Sequence, residues 1–348
     1  MTESRLAEKT PPGSRMILLV VVGVVGILAG VAVGPVMSML KRPDAPVAGT
    51  EPAAPLPSTD PGGFRFSPAG APGETEVVDR AGNPVARFTD GARTVTLVGP
   101  SRTIAEPAYA RSSVVTSTWV RLAPHPWHTG SEAEPWVRDW LSTALADRSP
   151  DVLAIAMQYT RDAPDRVDDQ GVRYAGRARF GPELDDGRRE IGADFYDYLG
   201  IPWRFADGTV KQPEPAQRGA LDCSGFLRMV YGYRSGFPLL AGRSGDGLPR
   251  RADPMAHSGP GKVIIADEEQ RPTDLDGIRP GDLLFFTTDD EPDIDHSAIY
   301  LGTDTDGRHR FISSRGGANA PTLGDEGGAS VLDGEGFYAN GFRTARRI

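Results

Sequence analysis

The chain has 348 residues, 39% of them hydrophobic, and a net charge of −9. That length suits about two folded units, and no basic surplus is present of the kind a nucleic-acid partner selects. A single cysteine excludes an intrachain disulfide, so an extracytoplasmic fold would rest on its core alone.

Residues 1–15 carry Arg5, Lys9 and Arg15, residues 16–34 form an uncharged run of Val, Leu, Ile and Gly, and Lys41 and Arg42 follow. A run of this length can cross a bilayer, and the basic bias points to an inside N-terminus. The segment 1–15 is therefore read as a cytoplasmic tail and 16–40 as a transmembrane signal anchor. A cleaved signal peptide is the alternative, disfavoured by the length of the run and by Pro35 after the small-residue site. The expected location is the cell membrane, single-pass, with the C-terminal part extracytoplasmic.

Residues 41–72 are rich in Pro, Ala, Gly and Ser without apolar periodicity, which predicts an extended linker. Over 73–125 short β-branched runs alternate with turn residues (81–84, then Asp90 and Gly91), which predicts a small β-rich module. His125 and His128 stand among prolines without carboxylate or thiol neighbours, so no metal site is expected there. Residues 126–190 read as a helical and loop extension: a helix at 134–146, a second at 152–159 behind Ser149, Pro150 and Asp151, and a polar loop at 161–188. A further helix over 189–199 closes at Gly200.

Cys223 sits in the polar turn Asp222-Cys223-Ser224-Gly225, ahead of the apolar residues Phe226, Leu227, Met229, Val230 and Tyr231. The pattern places it on the first turn of a helix, where free backbone N–H groups and the helix dipole favour a thiolate. Downstream, Pro280-Gly281-Asp282 launches an apolar strand at 283–287, and a second strand begins at His296. A thiol nucleophile needs a base within hydrogen-bond reach, and His296 is the candidate. His257 and His309 read as surface residues. The acidic run 289–295 is a solvated loop, or a local field that stabilises an imidazolium or attracts an amine.

The residues Leu199 to Phe205, Leu221 to Leu227, Leu248-Pro249-Arg250, 279–286 and 296–302 stand in the order of the NlpC-type cell-wall cysteine peptidases, which the segment 191–348 resembles. The resemblance implies an α+β fold: a papain-like NlpC-type domain whose cysteine helix packs on an antiparallel sheet formed by 283–287, 297–301 and 310–313. It implies hydrolysis of an amide bond in peptidoglycan stem peptides without a cofactor, with Cys223 as nucleophile and His296 as base. Ser313 takes the place of the residue that orients the imidazole, commonly a histidine. Substrate contacts are implied for Asp222, Ser224 and Trp203, the last replacing the usual tyrosine. Partners expected are stem peptides and, through the N-terminal helix, the membrane. A non-catalytic wall-peptide or partner-binding module and an acyltransferase on the same thiol are the competing readings.

Overall fold

The structure, a computed structural model, describes residues 61–348. The expected tail, signal anchor and most of the linker lie outside the described residues. Among the described residues no helix is long and apolar enough to cross a membrane.

Five antiparallel strands open the fold as a meander: β1 (Arg65–Pro68), β2 (Glu74–Val78), β3 (Pro84–Thr89), β4 (Thr94–Ile104) and β5 (Val114–Leu122). The expected linker therefore does not run to residue 72. Phe64 is buried, and Phe66 packs beside Phe88 and Trp127, so two aromatic residues supply the apolar surface that fixes β1 to the module. Between β2 and β3 the chain reverses where Asp79 accepts the Asn83 amide at 2.9 Å and Gly82 takes a φ of 89°.

Helix α1 (Pro135–Ala146) buries Val137, Leu141 and Leu145 in the same core as the meander, so it completes the β module instead of extending the next domain. Helix α2 (Val152–Met157) joins the two halves. Its N-cap Asp151 accepts from the Ala154 amide at 3.0 Å, the Val120 amide at 2.7 Å, and Arg102 through both guanidinium nitrogens at 2.7 and 2.6 Å. The expected polar loop contains one short hairpin, β6 (Arg166–Val167) with β7 (Arg173–Ala175).

Helix α3 (Phe195–Leu199) is shorter than the apolar pattern suggests, because Asp194 and Asp197 form a capping box that fixes its start. A small hairpin follows, β8 (Trp203–Arg204) with β9 (Val210–Lys211). Next come α4 (Cys223–Leu227), continued by a π-helical stretch Arg228–Arg234, and α5 (Ala252–Ser258). The remaining strands β10 (Lys262–Ile265), β11 (Leu283–Phe286), β12 (His296–Thr303), β13 (His309–Arg315), β14 (Ala320–Thr322) and β15 (Phe342–Arg347) form one antiparallel sheet. Its order is β10-β15-β11-β12-β13-β14, and α6 (Phe337–Gly341) lies just before β15.

Alternation divides this sheet into two apolar faces. Leu283, Phe285, Ile299, Leu301 and Ile312 share a core with Leu221, just before the cysteine helix, and with Phe226 and Leu227 within it. Leu284, Phe286, Ala298, Tyr300, Phe311 and Ala345 form a second core with Tyr338 and Phe342. The mixed α/β architecture and the three adjacent strands agree with the sequence reading. Arg347 locks the β module to the sheet, donating to Asp282 at 2.7 and 2.8 Å, to Glu74 at 3.0 Å and to Thr89 at 2.8 Å.

Asp151 is buried and satisfies four donors at once, so its loss leaves two amides without that acceptor and Arg102 with the Thr118 carbonyl at 3.2 Å in place of a carboxylate. Asp151→Ala is expected to lower stability by about 3 kcal/mol in urea denaturation. A loss below about 1 kcal/mol would show that this junction does not hold the two halves together.

Candidate active site

Cys223 begins α4, as its sequence context suggests, and the turn before it is held by ion pairs. Asp222 caps the helix, accepting from the Gly225 amide at 2.7 Å. Glycine is required at 225 by close approach, since a Cβ there would meet the Ala193 carbonyl at 2.2 Å. Arg250 reaches Asp222 at 2.8 Å, Ser224 Oγ at 2.7 Å and the Gly192 carbonyl at 2.6 Å, and Ser224 donates back to the Arg250 carbonyl at 2.9 Å. Burial alone would raise the Asp222 pKa, but the Arg250 guanidinium holds it below the usual carboxylate range. Asp222 and Ser224 are both buried and committed to this network. In this structure they build the turn that carries the thiol.

The thiol is 5% exposed and directs its hydrogen bond to the Asp295 carbonyl at 3.7 Å. The Ser297 hydroxyl lies near the sulfur, without a hydrogen bond of its own. Burial, then the Asp222 carboxylate, push the Cys223 pKa up to about 12. The N-terminal position is thus outweighed, because a five-residue helix whose first turn already serves Asp222 offers little to a desolvated sulfur.

His296 starts β12 and is 7% exposed. Its ring packs 5.1 Å from that of Tyr338 and 5.9 Å from that of Phe286, both in the second core. Nε2 is buried without a partner, and no hydrogen bond joins the ring to Cys223. Burial, then the Arg315 guanidinium, pull its pKa down to about 3. The pair is therefore a neutral thiol and a neutral imidazole in this state, where the sequence suggests a thiolate and a base in reach.

Ser313 is fully buried on β13, and its hydroxyl has no partner. The expected hydrogen bond to His296 is not formed here. Trp203 packs edge-on against Phe195 at 5.0 Å and Tyr233 at 5.8 Å, and neither contact belongs to the Cys223 turn. In the acidic run, Asp295 spends its carboxylate on Thr288, accepting from the amide and the hydroxyl at 2.9 Å, and so does not serve the imidazole. His257 is exposed between Asp253 and Asp267, whereas His309 is half-buried and bonded to the Tyr300 hydroxyl at 2.7 Å. Among the described residues no cluster of metal-ligating side chains occurs.

Three participants escaped the sequence reading. Arg250 stood in a family motif without a role, and only the fold brings it to Asp222. Arg315 and Tyr338 had no local signal at all. Tyr338 covers His296, and the Arg315 guanidinium lies 4.6 Å from the Tyr338 ring. Two surface grooves are lined elsewhere, one of about 410 Å³ at Val115, Leu275 and Tyr300, and neither by Cys223 or His296.

A mixed α/β domain built on a lone thiol at a helix start, beside a strand that begins with histidine, defines the class of this protein. Residues 200–319 match the profile of the NlpC/P60 family, which supports the resemblance of this segment to the NlpC-type cell-wall peptidases. The match contains Cys223, His296 and Ser313, and excludes the β module, α6 and β15. No curated protein matches the chain.

The raised thiol pKa fixes a pH dependence. Thiolate is lacking at neutrality and grows as pH rises, so iodoacetamide should label folded Cys223 roughly a hundredfold or more slower than a model thiol of pKa ~8.5. The rate should climb from about pH 7 to about pH 10 without a plateau. Fast labelling that levels off near neutrality would show that the closed site already holds a thiolate.

Proposed function

We propose that the protein is a cysteine hydrolase that cleaves an amide bond in peptidoglycan stem peptides. The carrying observation is Cys223 at the first position of a buried helix within the NlpC/P60 segment. In the working state the thiol proton passes to His296 and the sulfur adds to the carbonyl carbon, with the Cys223 amide N–H beside the developing oxyanion. The C–N bond then breaks, His296 returns the proton to the departing amine, and water hydrolyses the thioester to restore the thiol. Tyr338 has to yield for this, since it covers the imidazole. Ser313, whose hydroxyl is unsatisfied on the neighbouring strand, takes the second imidazole nitrogen once the ring carries the proton.

The covered, neutral pair favours a second reading, a module that binds wall peptides without turnover. Incubating the full chain with purified muropeptides and weighing the products separates them. The parent is expected to cut, Cys223→Ala to be inert, and Ser313→Ala to turn over about five- to tenfold more slowly. A parent that binds muropeptides but releases no product would leave the second reading standing.

For location, the apolar run at 16–34 supports an uncleaved anchor that holds the C-terminal part outside the membrane. Protease added to intact spheroplasts should remove the C-terminal part and spare the first residues. A soluble mature product beginning near Pro35 would replace the anchor with a cleaved signal peptide.

A further inference from the structure

Arg228, Arg310, Arg315 and Arg347 are fully buried arginines. Three of them hold a carboxylate: Arg228 has Asp194 at 3.0 Å, Arg310 has Asp304 at 2.7 Å and Arg347 has Asp282 at 2.7 Å. Arg315, 1% exposed, has no carboxylate at ion-pair distance among the described residues. Its donors go to neutral oxygens: the Gly328 carbonyl, Ser330 Oγ at 2.5 Å and the Thr322 carbonyl at 3.4 Å, while Nε is buried without a partner. The acidic groups nearby are engaged elsewhere. Glu106 accepts from Thr322 and Leu323 at 2.7 Å, and Asp325 faces Arg310 at 3.5 Å.

Burying a cation without a counter-ion is costly, and a carboxylate supplies both an opposite charge and a bidentate fit to the guanidinium that separate neutral oxygens lack. Gly328 and Ser330 therefore fill a place that an anion fits better. Both belong to the segment that leads into α6, and Tyr338 of α6 is the ring that covers His296. The segment lies tightly on that ring, since a Cβ at Gly328 would come within 2.9 Å of it. Whatever satisfies Arg315 in place of this segment also loosens the cover over the imidazole.

We propose that Arg315 is the docking cation for a free carboxylate of the peptide substrate, and that residues 324–338 are a strap which that carboxylate displaces. Binding and opening are then one event. Peptides lacking the carboxylate leave the strap on Arg315 and Tyr338 on His296, so a single buried cation sets specificity and uncovers the catalytic face.

The inference rests on the peptide-hydrolase reading, and its test keeps the two apart. The full chain carrying Cys223→Ala is titrated by calorimetry with a stem tetrapeptide bearing free carboxylates and with the same peptide fully amidated. Hydrogen exchange is followed over 324–338. The free acid is expected to bind about tenfold or more tightly, with faster exchange at Gly328 and Ser330 on binding. Arg315→Met in the same background should reduce that preference to about twofold or less, and Arg315→Lys should keep part of it. Ser330→Ala, which removes one acceptor from the strap, should speed exchange without ligand and tighten binding of the free acid; it decides the matter if Arg315→Met fails to fold. Equal binding of the two peptides, no binding of either, or unchanged strap exchange would overturn the proposal. Discriminating binding by a Cys223 parent that never cuts would leave it intact and remove only the hydrolase reading; equal cleavage of both peptides would remove it alone.

Discussion

The buried ion network behind the nucleophile turn is the constraint on which the rest of the site depends. Asp194 and Asp222 are matched there by Arg228 and Arg250, two carboxylates against two guanidiniums. Arg228 also donates to the Leu240 and Leu248 carbonyls at 2.9 and 2.7 Å, which ties the helix to the loop that delivers Arg250. Removing one member would strand a buried charge, which costs far more than the net value of the pair. The network gives the thiol a fixed position and a local charge balance unfavourable to its ionisation.

That fixed turn is then set against a sheet whose two faces do different things. One face packs on the cysteine helix and supplies rigidity. The other gathers His296, Tyr338 and Arg315 into an apolar setting where an imidazole stays neutral and a guanidinium lacks a counter-ion. Cys223 and His296 are thus held by separate packing surfaces, and the cover over the imidazole is a structural element of the domain.

The β module contributes by holding the sheet. Arg347 and Arg279 both reach Glu74, Arg310 reaches Ser112 at 2.8 Å, and Glu106 braces Thr322 and Leu323 beside the Arg315 loop. Helix α2, pinned through Asp151 to the β4–β5 hairpin, packs on the helix that begins at Cys223. Such a module acts as a brace for the NlpC/P60 segment, and it lies outside the family match.

The sequence by itself determined the strands at 283–287 and 296–301, the meander, and a cysteine at a helix start, because alternation, turn residues and caps act between near neighbours. It also located the family segment through short motifs in order. Tertiary structure alone decided what those residues do. Asp222 and Ser224 look like site residues in a one-dimensional motif, yet a cation from residue 250 turns them into supports. Cys223 reads as a thiolate from its helix position, yet burial sets its ionisation. Linker residues near Phe64 read as unpacked until a distant aromatic cluster offers them a surface. In each case the deciding term is desolvation or pairing with a group far along the chain, and neither leaves a local mark in the sequence.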